Sequence, residues 1–161
     1  MSVLAIDPGP VESAYALIDA DRRPLFFGKV PNHDLRGLLR RQPADWESVE
    51  YAAIEMVASY GMAVGAEVFE TCVWIGRFIE ASGCSLAQVY RRDVKLHHCL
   101  DSRAKDSNIR QALVDRFAPG QPNHGKGTKA DPGWFYGFRA DVWQAYALAV
   151  LVADRADPEV A

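Results

Sequence analysis

Three acidic residues stand in apolar surroundings where strands or helices are expected to begin or end. They are Asp7 in VLAIDPGP, Glu55 in YAAIEMV and Asp141 in RADVWQAYALAV. A carboxylate at the rim of an element built from Ala, Val, Ile and Leu is poorly solvated, and it stays ionised only if a cation compensates its charge. If folding brings the three acids together, they are therefore expected to bind Mg²⁺ or Mn²⁺.

The size and composition of the chain are typical of one globular domain. The sequence has 161 residues, of which 49% are apolar and 24% are charged, so we expect a single domain over residues 1–161. The first residues lack the pattern of a signal peptide and no segment approaches membrane-spanning length, so we expect a cytoplasmic protein without membrane contact. Cys72, Cys84 and Cys99 are widely spaced and odd in number, which implies neither a disulfide framework nor a thiolate zinc site.

The formal net charge of −3 at first argues against a nucleic-acid partner, because proteins bind the phosphate backbone by neutralising it. The basic residues are clustered, however, and divalent ions bound by the three acids would allow phosphate to approach. For any single basic residue, a place on the solvated surface is the alternative. The candidate DNA contacts among them are Arg91, Arg92, Lys95, Arg103, Lys105, Arg110, Lys126, Lys129 and Arg139.

Hydrophobic periodicity predicts the order of the elements. Three short β-type runs within residues 2–30 predict an antiparallel meander. The later elements are a helix over 33–42, a strand over 51–57, an amphipathic helix over 62–81, a strand over 85–90, a polar helical stretch through 110–117, a loop over 119–139 and a helix over 141–155. This order matches an α/β ribonuclease H-like fold, with a five-stranded mixed sheet and helices on both faces. In that layout the first and fourth strands are neighbours, so Asp7 and Glu55 are expected side by side.

Four segments carry a family resemblance. AIDPGPVESAYALID contains a strand that ends in Asp-Pro-Gly and a return through small residues, AAIEM holds Glu55, and ADVWQAYALAV opens near Asp141. VKLHHCLDSRAKDSNIRQALV places Lys95 and Lys105 after the fifth strand. Together these segments resemble the RuvC-type Holliday-junction resolvases, particularly the variants carried by bacteriophages. The resemblance extends over about residues 3–152.

The resemblance implies a Mg²⁺-dependent endodeoxyribonuclease that cuts Holliday junctions and other branched DNA in recombination and repair. It implies two ions per active site, which Mn²⁺ can replace, with Asp7 bridging the pair and with Glu55 and Asp141 each completing one site. Lys95 or Lys105 would stabilise the charge of the phosphate. The expected location is a bacterial cell, for a host or a phage protein. Two alternatives stay open: a ribonuclease H-like nuclease that acts on RNA or flaps, and a non-catalytic junction-binding protein.

One position departs from the family pattern. Three residues after Asp141, where the family commonly has a fourth acid, this chain has Gln144, whose carbonyl can coordinate a metal ion but brings no charge. Asp131 is the candidate for an assisting acid. Asp-Val-Trp-Gln is also a capping box, so the alternative role for Asp141 is to accept from the first-turn amides of its helix. Asp7 has a similar alternative, since Asp before Pro-Gly favours a turn.

The loop over residues 119–139 combines positive charge with aromatic side chains. Its Gly- and Pro-rich sequence predicts a flexible backbone that follows a DNA strand at a branch point. Trp134 and Tyr136 are the candidates for stacking on unpaired bases. Phe135 and Phe138 are expected to tuck under the loop as a small core.

A twofold homodimer is expected, because productive cutting of a four-way junction requires two symmetric nicks. On the amphipathic helix over residues 62–81, Trp74 falls among polar positions marked by Glu67, Glu70 and Arg77. An exposed tryptophan in such a position favours a dimer interface. The alternative is a tryptophan that packs on its own neighbours.

Overall fold

The elements largely follow the predicted order. The structure is a computed structural model, and it describes residues 1–46 and 49–157. The strands are β1 (Val3–Asp7), β2 (Glu12–Ile18), β3 (Pro24–Pro31), β4 (Tyr51–Met56) and β5 (Ala87–Tyr90). The helices are α1 (Asn32–Arg41), α2 (Ala66–Ser82), α3 (Arg91–Cys99), α4 (Asp106–Phe117) and α5 (Val142–Ala156), with a turn of 3₁₀ helix at Ala44–Trp46. None of the helices in these two ranges combines the length and the apolar character needed to cross a membrane.

β1 lies at the centre of one mixed sheet whose strand order is β3-β2-β1-β4-β5. β2 pairs antiparallel with β1 and β3, which forms the predicted meander, and β4 pairs parallel with β1 and β5. The pairing of β1 with β4 sets Ile6 opposite Ile54. Asp7 and Glu55 stand one residue further along these two strands, so they are neighbours at the carboxyl ends of β1 and β4.

Alternate residues of β1, β2 and β4 are buried against helices on opposite faces of the sheet. On one face, Leu4, Ile6 and Ile54 pack with α1, α2 and the 3₁₀ turn. On the other face, Ala5 and Ala53 pack with α3, α4 and α5. The predicted five-stranded mixed sheet with helices on both faces is confirmed.

Small side chains let α5 lie close to the sheet. The backbone of α5 approaches β1, β2 and β4, and their shared core contains fully buried alanines. These are Ala5, Ala14, Ala16 and Ala53 on the sheet and Ala145, Ala149 and Ala153 on the helix. Because close packing fixes the position of α5, the residue before its first turn, Asp141, is held beside the ends of the central strands.

The polar stretch that ends at Phe117 is two helices and not one. α3 and α4 are separated by residues 100–105. Leu100 ends α3 in a left-handed conformation with φ of 56°, and its N–H donates to the carbonyl of Leu96. The break turns the chain back, so that the start of α4 comes close to the start of α3.

The loop between α4 and α5 is held by hydrogen bonds between its own backbone groups, and its flexibility stays a prediction. The N–H of Gly133 donates to the Lys126 carbonyl and the N–H of Phe135 donates to the Gly125 carbonyl, each at 2.9 Å. The predicted burial of Phe135 and Phe138 under the loop is confirmed. The loop therefore packs on the α5 side of the sheet through these two rings.

The prediction of an exposed Trp74 is wrong. Its side chain is 7% exposed and contacts His33 and Phe78 in the core between α1 and α2. The packing alternative is the correct one, because Trp74 lies on the face of α2 that turns toward α1. α2 instead exposes Phe69 and Val73.

Candidate active site

A row of side chains crosses the sheet at the end of β1. Asp7 is paired with Ala14 of β2, and Ala14 is paired with Lys29 of β3. On its other side, Asp7 neighbours Glu55 of β4. Since residues paired across adjacent strands project to the same face, Lys29, Asp7 and Glu55 all project toward the face covered by α5. Asp141 stands at the start of that helix.

The turn that follows Asp7 is closed by two buried polar side chains. The Gly9 N–H donates to Ser13 Oγ at 3.1 Å, Ser13 Oγ donates to Asn32 Oδ1 at 2.6 Å, and Asn32 Nδ2 donates to the Gly9 carbonyl at 2.9 Å. A Cβ on Gly9 would lie only 2.3 Å from the Glu12 carbonyl oxygen, so this position requires glycine. These contacts close the turn without the Asp7 carboxylate, which argues against a turn-forming role for that acid.

Burial raises the pKa of Asp7 well above its usual value, and the negative charge of Glu55 raises it further. The guanidinium of Arg91 lowers the pKa of Asp7, while Asp141 and Asp106 raise it. Three other carboxylates therefore act on the buried Asp7, and of these Glu55 is itself mostly buried. Carboxylates placed in this way all stay ionised only when cations bind to them.

Arg91, the first residue of α3, is bound by two of these carboxylates. Its Nη1 donates to Glu55 Oε2 at 3.1 Å, and its Nη2 donates to Asp106 Oδ1. The side chains of Arg91 and Glu55 are only 23% and 16% exposed. Burial raises the pKa of Glu55, and the Arg91 guanidinium opposes that rise. Arg91 thus neutralises Glu55 from within the protein.

Asp141 binds Lys29 and not its own helix. Lys29 Nζ donates to Asp141 Oδ2 at 2.6 Å, and this hydrogen bond raises the pKa of Lys29. The Asp141 side chain makes no capping hydrogen bond to the first turn of α5, so the capping-box alternative is wrong. Its carboxylate is directed toward the sheet, where the other acids lie.

Gln144 is buried beside Asp141. Its side chain is 6% exposed, and its Oε1 accepts no hydrogen bond from the described part of the chain. A pocket of about 250 Å³ is lined by Asp106, Asp141 and Gln144, together with Arg110. Asp131 lines a different cavity, so the structure gives no support to its predicted role as the assisting acid.

The donor set fits Mg²⁺ or Mn²⁺, although its side chains are turned to other partners. Within residues 1–46 and 49–157, no three His, Cys, Asp or Glu side chains are gathered tightly enough to hold a metal ion. Arg91 and Lys29 are bound to the oxygens of Glu55 and Asp141. Carboxylates and a buried amide oxygen without a donor are nevertheless the ligands that hard divalent cations prefer. A cation near Gln144 would also satisfy an acceptor that folding leaves unpaired.

A groove beside Asp141 is lined by several of the predicted DNA-binding residues. Its volume is about 470 Å³, and its lining includes Lys29, Lys126, Tyr136 and Arg139. Tyr136 is 42% exposed, so its ring is accessible. Positive charge and an accessible aromatic ring next to the acids suit a nucleic-acid strand.

The other predicted basic contacts lie on α3, α4 and the loop. Arg92 and Lys95 line a shallow depression with Arg91, Arg110 lines the pocket of Gln144, and Arg103, Lys105 and Lys129 are exposed. The charge of Lys95 lowers the pKa of Glu55, after the larger effects of burial and Arg91. Lys95 therefore lies within electrostatic reach of the acids, whereas Lys105 stands on the surface before α4.

Trp134 is engaged inside the protein, which removes the support for its predicted role in base stacking. Its ring stacks on Phe117 at a centroid distance of 5.4 Å, and the guanidinium of Arg23 lies over it. Its Nε1 donates to Tyr146 Oη at 3.1 Å. Trp134 therefore fastens the loop to α4 and α5.

Solved structures that share this fold include two of RuvC. The chain matches a Thermus thermophilus RuvC structure with a TM-score of 0.68 at 15% sequence identity, covering 94% of this chain and 92% of that one. It matches T. thermophilus RuvC in complex with a Holliday junction substrate with a TM-score of 0.64 at 14% identity, covering 99% and 97%. No protein-family model and no curated protein matches the sequence. The chain therefore has the fold of RuvC, and the predicted ribonuclease H-like fold is confirmed.

Two residues of this site, Asp106 and Lys29, were not predicted from the sequence to take part in it. Asp106 follows Lys105 among alternating charges, which is typical of a solvated helix start, so the sequence carries no signal for it. Lys29 had a signal. It lies two residues after Phe27 in β3, on the face that α5 covers, and the register of the meander aligns it with Asp7.

Proposed function

We propose that this chain is a Mg²⁺-dependent endonuclease that cuts Holliday junctions and other branched DNA. The observation that carries the proposal is the placement of Asp7 and Glu55 side by side at the ends of β1 and β4, with Asp141 close enough to act on Asp7, in a sheet with the RuvC fold. Divalent ions held there, two per site, would activate a water molecule and stabilise charge on the scissile phosphate. The RuvC structure that contains a Holliday junction substrate supports the choice of substrate class.

Each acid has a role that follows from its surroundings. Asp7 is acted on by both Glu55 and Asp141, so it is the carboxylate to be shared between two ions. Glu55 and Asp141 would each complete one ion site, for which their oxygens would have to be released from Arg91 and Lys29. The two released cationic side chains then carry free donors for phosphate oxygens.

DNA is proposed to cross the acids between two basic surfaces. On one side lies the groove with Lys126, Tyr136 and Arg139. On the other side, Arg92 and Lys95 project from α3. Lys95 is proposed to stabilise the charge of the reacting phosphate, since its charge reaches Glu55. More distant phosphates are assigned to Arg103, Lys105, Arg110 and Lys129.

The proposal includes a homodimer and a single nuclease domain over residues 1–161 in a bacterial cytoplasm. Residues 47, 48 and 158–161 of that domain lie outside the described part of the chain. Two symmetric nicks in a four-way junction support a twofold dimer. Because Trp74 is buried, the exposed pair Phe69 and Val73 on α2 replaces it as the interface candidate.

One observation favours a second candidate, a junction-binding protein without catalysis. Glu55 and Asp141 are already neutralised by Arg91 and Lys29. A protein that had lost its metal ions could keep its fold through these two ion pairs, since a mostly buried carboxylate such as Glu55 requires a compensating charge. Such a protein would bind junctions equally well with and without Mg²⁺.

Cleavage of a labelled four-way junction separates the two candidates. The purified chain is incubated with the junction and with a linear duplex of the same sequence, in Mg²⁺ and in Mg²⁺ with excess chelator. We expect paired nicks in the junction, little cutting of the duplex and no nicks with chelator. Junction binding that is never followed by nicking in Mg²⁺ or Mn²⁺ supports the second candidate instead.

The variant Glu55→Gln tests whether DNA cleavage takes place at the proposed site. It removes the charge at Glu55 and keeps the side-chain size, so we expect nicking to be lost while junction binding in a gel-shift assay is retained. The matched control is Glu70→Gln, which changes an exposed glutamate on α2 and should cleave like the wild-type chain. Equal loss of nicking in both variants would show that the effect is not specific to the site.

A further inference from the structure

A buried acceptor marks one end of the proposed active site. Gln144 lies in the first turn of α5 and is 6% exposed, and its buried Oε1 receives no hydrogen bond from any residue in the described ranges. An unsatisfied buried amide oxygen is unfavourable, and folding normally avoids it by supplying a donor, a water molecule or an ion. The neighbouring carboxylate, Asp141, lines the same pocket. The pair is thus suited to a positively charged ligand.

Asp106 brings a second carboxylate to this pocket. It is the first residue of α4, and it lines the pocket together with Asp141 and Gln144. Its charge acts on both Asp7 and Glu55, since it raises the pKa of each after the larger effect of burial. The side chain is 65% exposed, and its recorded partner is Arg91. A cation can therefore reach Asp106 without unfolding any element.

We infer that Asp106 supplies the fourth carboxylate of the cation site and holds one divalent ion together with Asp141 and Gln144. The inference rests on the proposed function, because it names the ligands of a cation which that nuclease would use. Gln144 contributes a neutral oxygen, and Asp106, from a different helix, restores the charge that an acid at position 144 would have brought. Two carboxylates and one amide oxygen match the requirements of Mg²⁺ and Mn²⁺.

Arg91 connects this ion site to Glu55. The guanidinium binds Glu55 and Asp106 at the same time, so it occupies one ligand from each of the two proposed ion positions. Cations that bind Glu55 and Asp106 displace Arg91 from both. Asp106 could therefore affect metal binding in two ways, as a ligand or only as an anchor for Arg91, and the experiment must separate them.

The test is a calorimetric titration of the full chain with Mn²⁺ in the absence of DNA. For Asp106→Asn we expect Mn²⁺ affinity to fall by about tenfold or more, since even the loss of a residue that only supports a ligand costs about 10–100-fold. The matched control is Asp115→Asn on the same helix, an exposed aspartate that accepts from Gln111. It should bind Mn²⁺ like the wild-type chain.

A second pair of variants distinguishes a ligand from an anchor. Asp106→Asn is repeated in an Arg91→Gln background, where no guanidinium remains to be anchored. A ligand role predicts the same fall in Mn²⁺ affinity in this background. An unchanged affinity there overturns the inference, as does wild-type affinity of the single variant or a wild-type chain that binds no Mn²⁺.

Because the readout is metal binding without DNA, this inference and the nuclease proposal fail separately. Loss of Mn²⁺ affinity on Asp106→Asn in the Arg91→Gln background supports the inference whatever the substrate proves to be. Normal Mn²⁺ binding by Asp106→Asn in a chain that nicks junctions refutes the inference and leaves the nuclease intact. Circular dichroism of each variant at the titration temperature establishes that the chain is folded.

Discussion

Arg91 is predicted to compete with metal ions for Glu55, so removing it should strengthen metal binding. The change is Arg91→Gln, which deletes the charge that lies 3.1 Å from Glu55 Oε2. A hydrogen bond to a charged group contributes about 1.5–3 kcal/mol. The contact with Asp106 is left out of this figure, because the Asp106 side chain is 65% exposed and solvent screens it. If a metal ion no longer has to break the Glu55 contact, its affinity should rise by about 10–150-fold.

Whether Arg91→Gln strengthens or weakens Mn²⁺ binding depends on pH. Burial raises the pKa of Asp7 and of Glu55, and Arg91 lowers both. Without Arg91 the two pKa values rise further, so the acids bind protons up to a higher pH. Because metal binding requires deprotonated carboxylates, the variant should bind Mn²⁺ more tightly than the wild-type chain at mildly alkaline pH, and the advantage should shrink or reverse at mildly acidic pH.

The assay is a series of Mn²⁺ titrations across this pH range, with Arg92→Gln as the control. Arg92 is an exposed neighbour on α3, so its removal changes the local charge without freeing Glu55. The reasoning is refuted if Arg91→Gln binds Mn²⁺ no more tightly than the wild-type chain at mildly alkaline pH. It is also refuted if both variants change the affinity equally.

Three further predictions concern stability and assembly. Tyr146 Oη accepts one hydrogen bond and donates another in the core, so Tyr146→Phe should lower the free energy of unfolding by about 1–3 kcal/mol in a urea titration. Burial raises the pKa of Asp154, but hydrogen bonds from His97 and Arg116 lower it to below its usual value. The ionised Asp154 carboxylate therefore contributes to stability above its unfolded pKa of about 3.9, and this contribution is lost as the pH falls toward the folded pKa. Asp154→Asn should therefore cost about 3–5 kcal/mol at neutral pH and much less in acid, as measured by thermal unfolding across pH. Phe69→Glu should convert a dimer to a monomer in analytical ultracentrifugation, whereas an unchanged mass rejects the α2 interface.

Local patterns predict the sheet well, because its first three strands are joined by short turns. Alternation and turn residues place β1, β2 and β3, and their pairing needs no long-range information. The break after α3 is different. A leucine in the left-handed region, as at Leu100, has no sequence signal, so α3 and α4 could not be separated from the pattern alone.

The acids of the site were predictable, but their partners were not. A charge inside an apolar run is conspicuous, which is why Asp7 and Glu55 stand out in the sequence. The pairing of Arg91 with Glu55 and Asp106 depends on how α3 and α4 pack, and that packing joins residues far apart in the chain. The prediction of an exposed Trp74 was wrong for a related reason, since the helix pattern does not show that α1 covers that face of α2.

The most direct test of the account is a crystal structure of the chain soaked in Mn²⁺, with anomalous diffraction used to locate the ions. The account predicts anomalous peaks in contact with Asp7, with Glu55 released from Arg91 and Asp141 released from Lys29. A structure without peaks at these carboxylates, in which both ion pairs persist at saturating Mn²⁺, would contradict it.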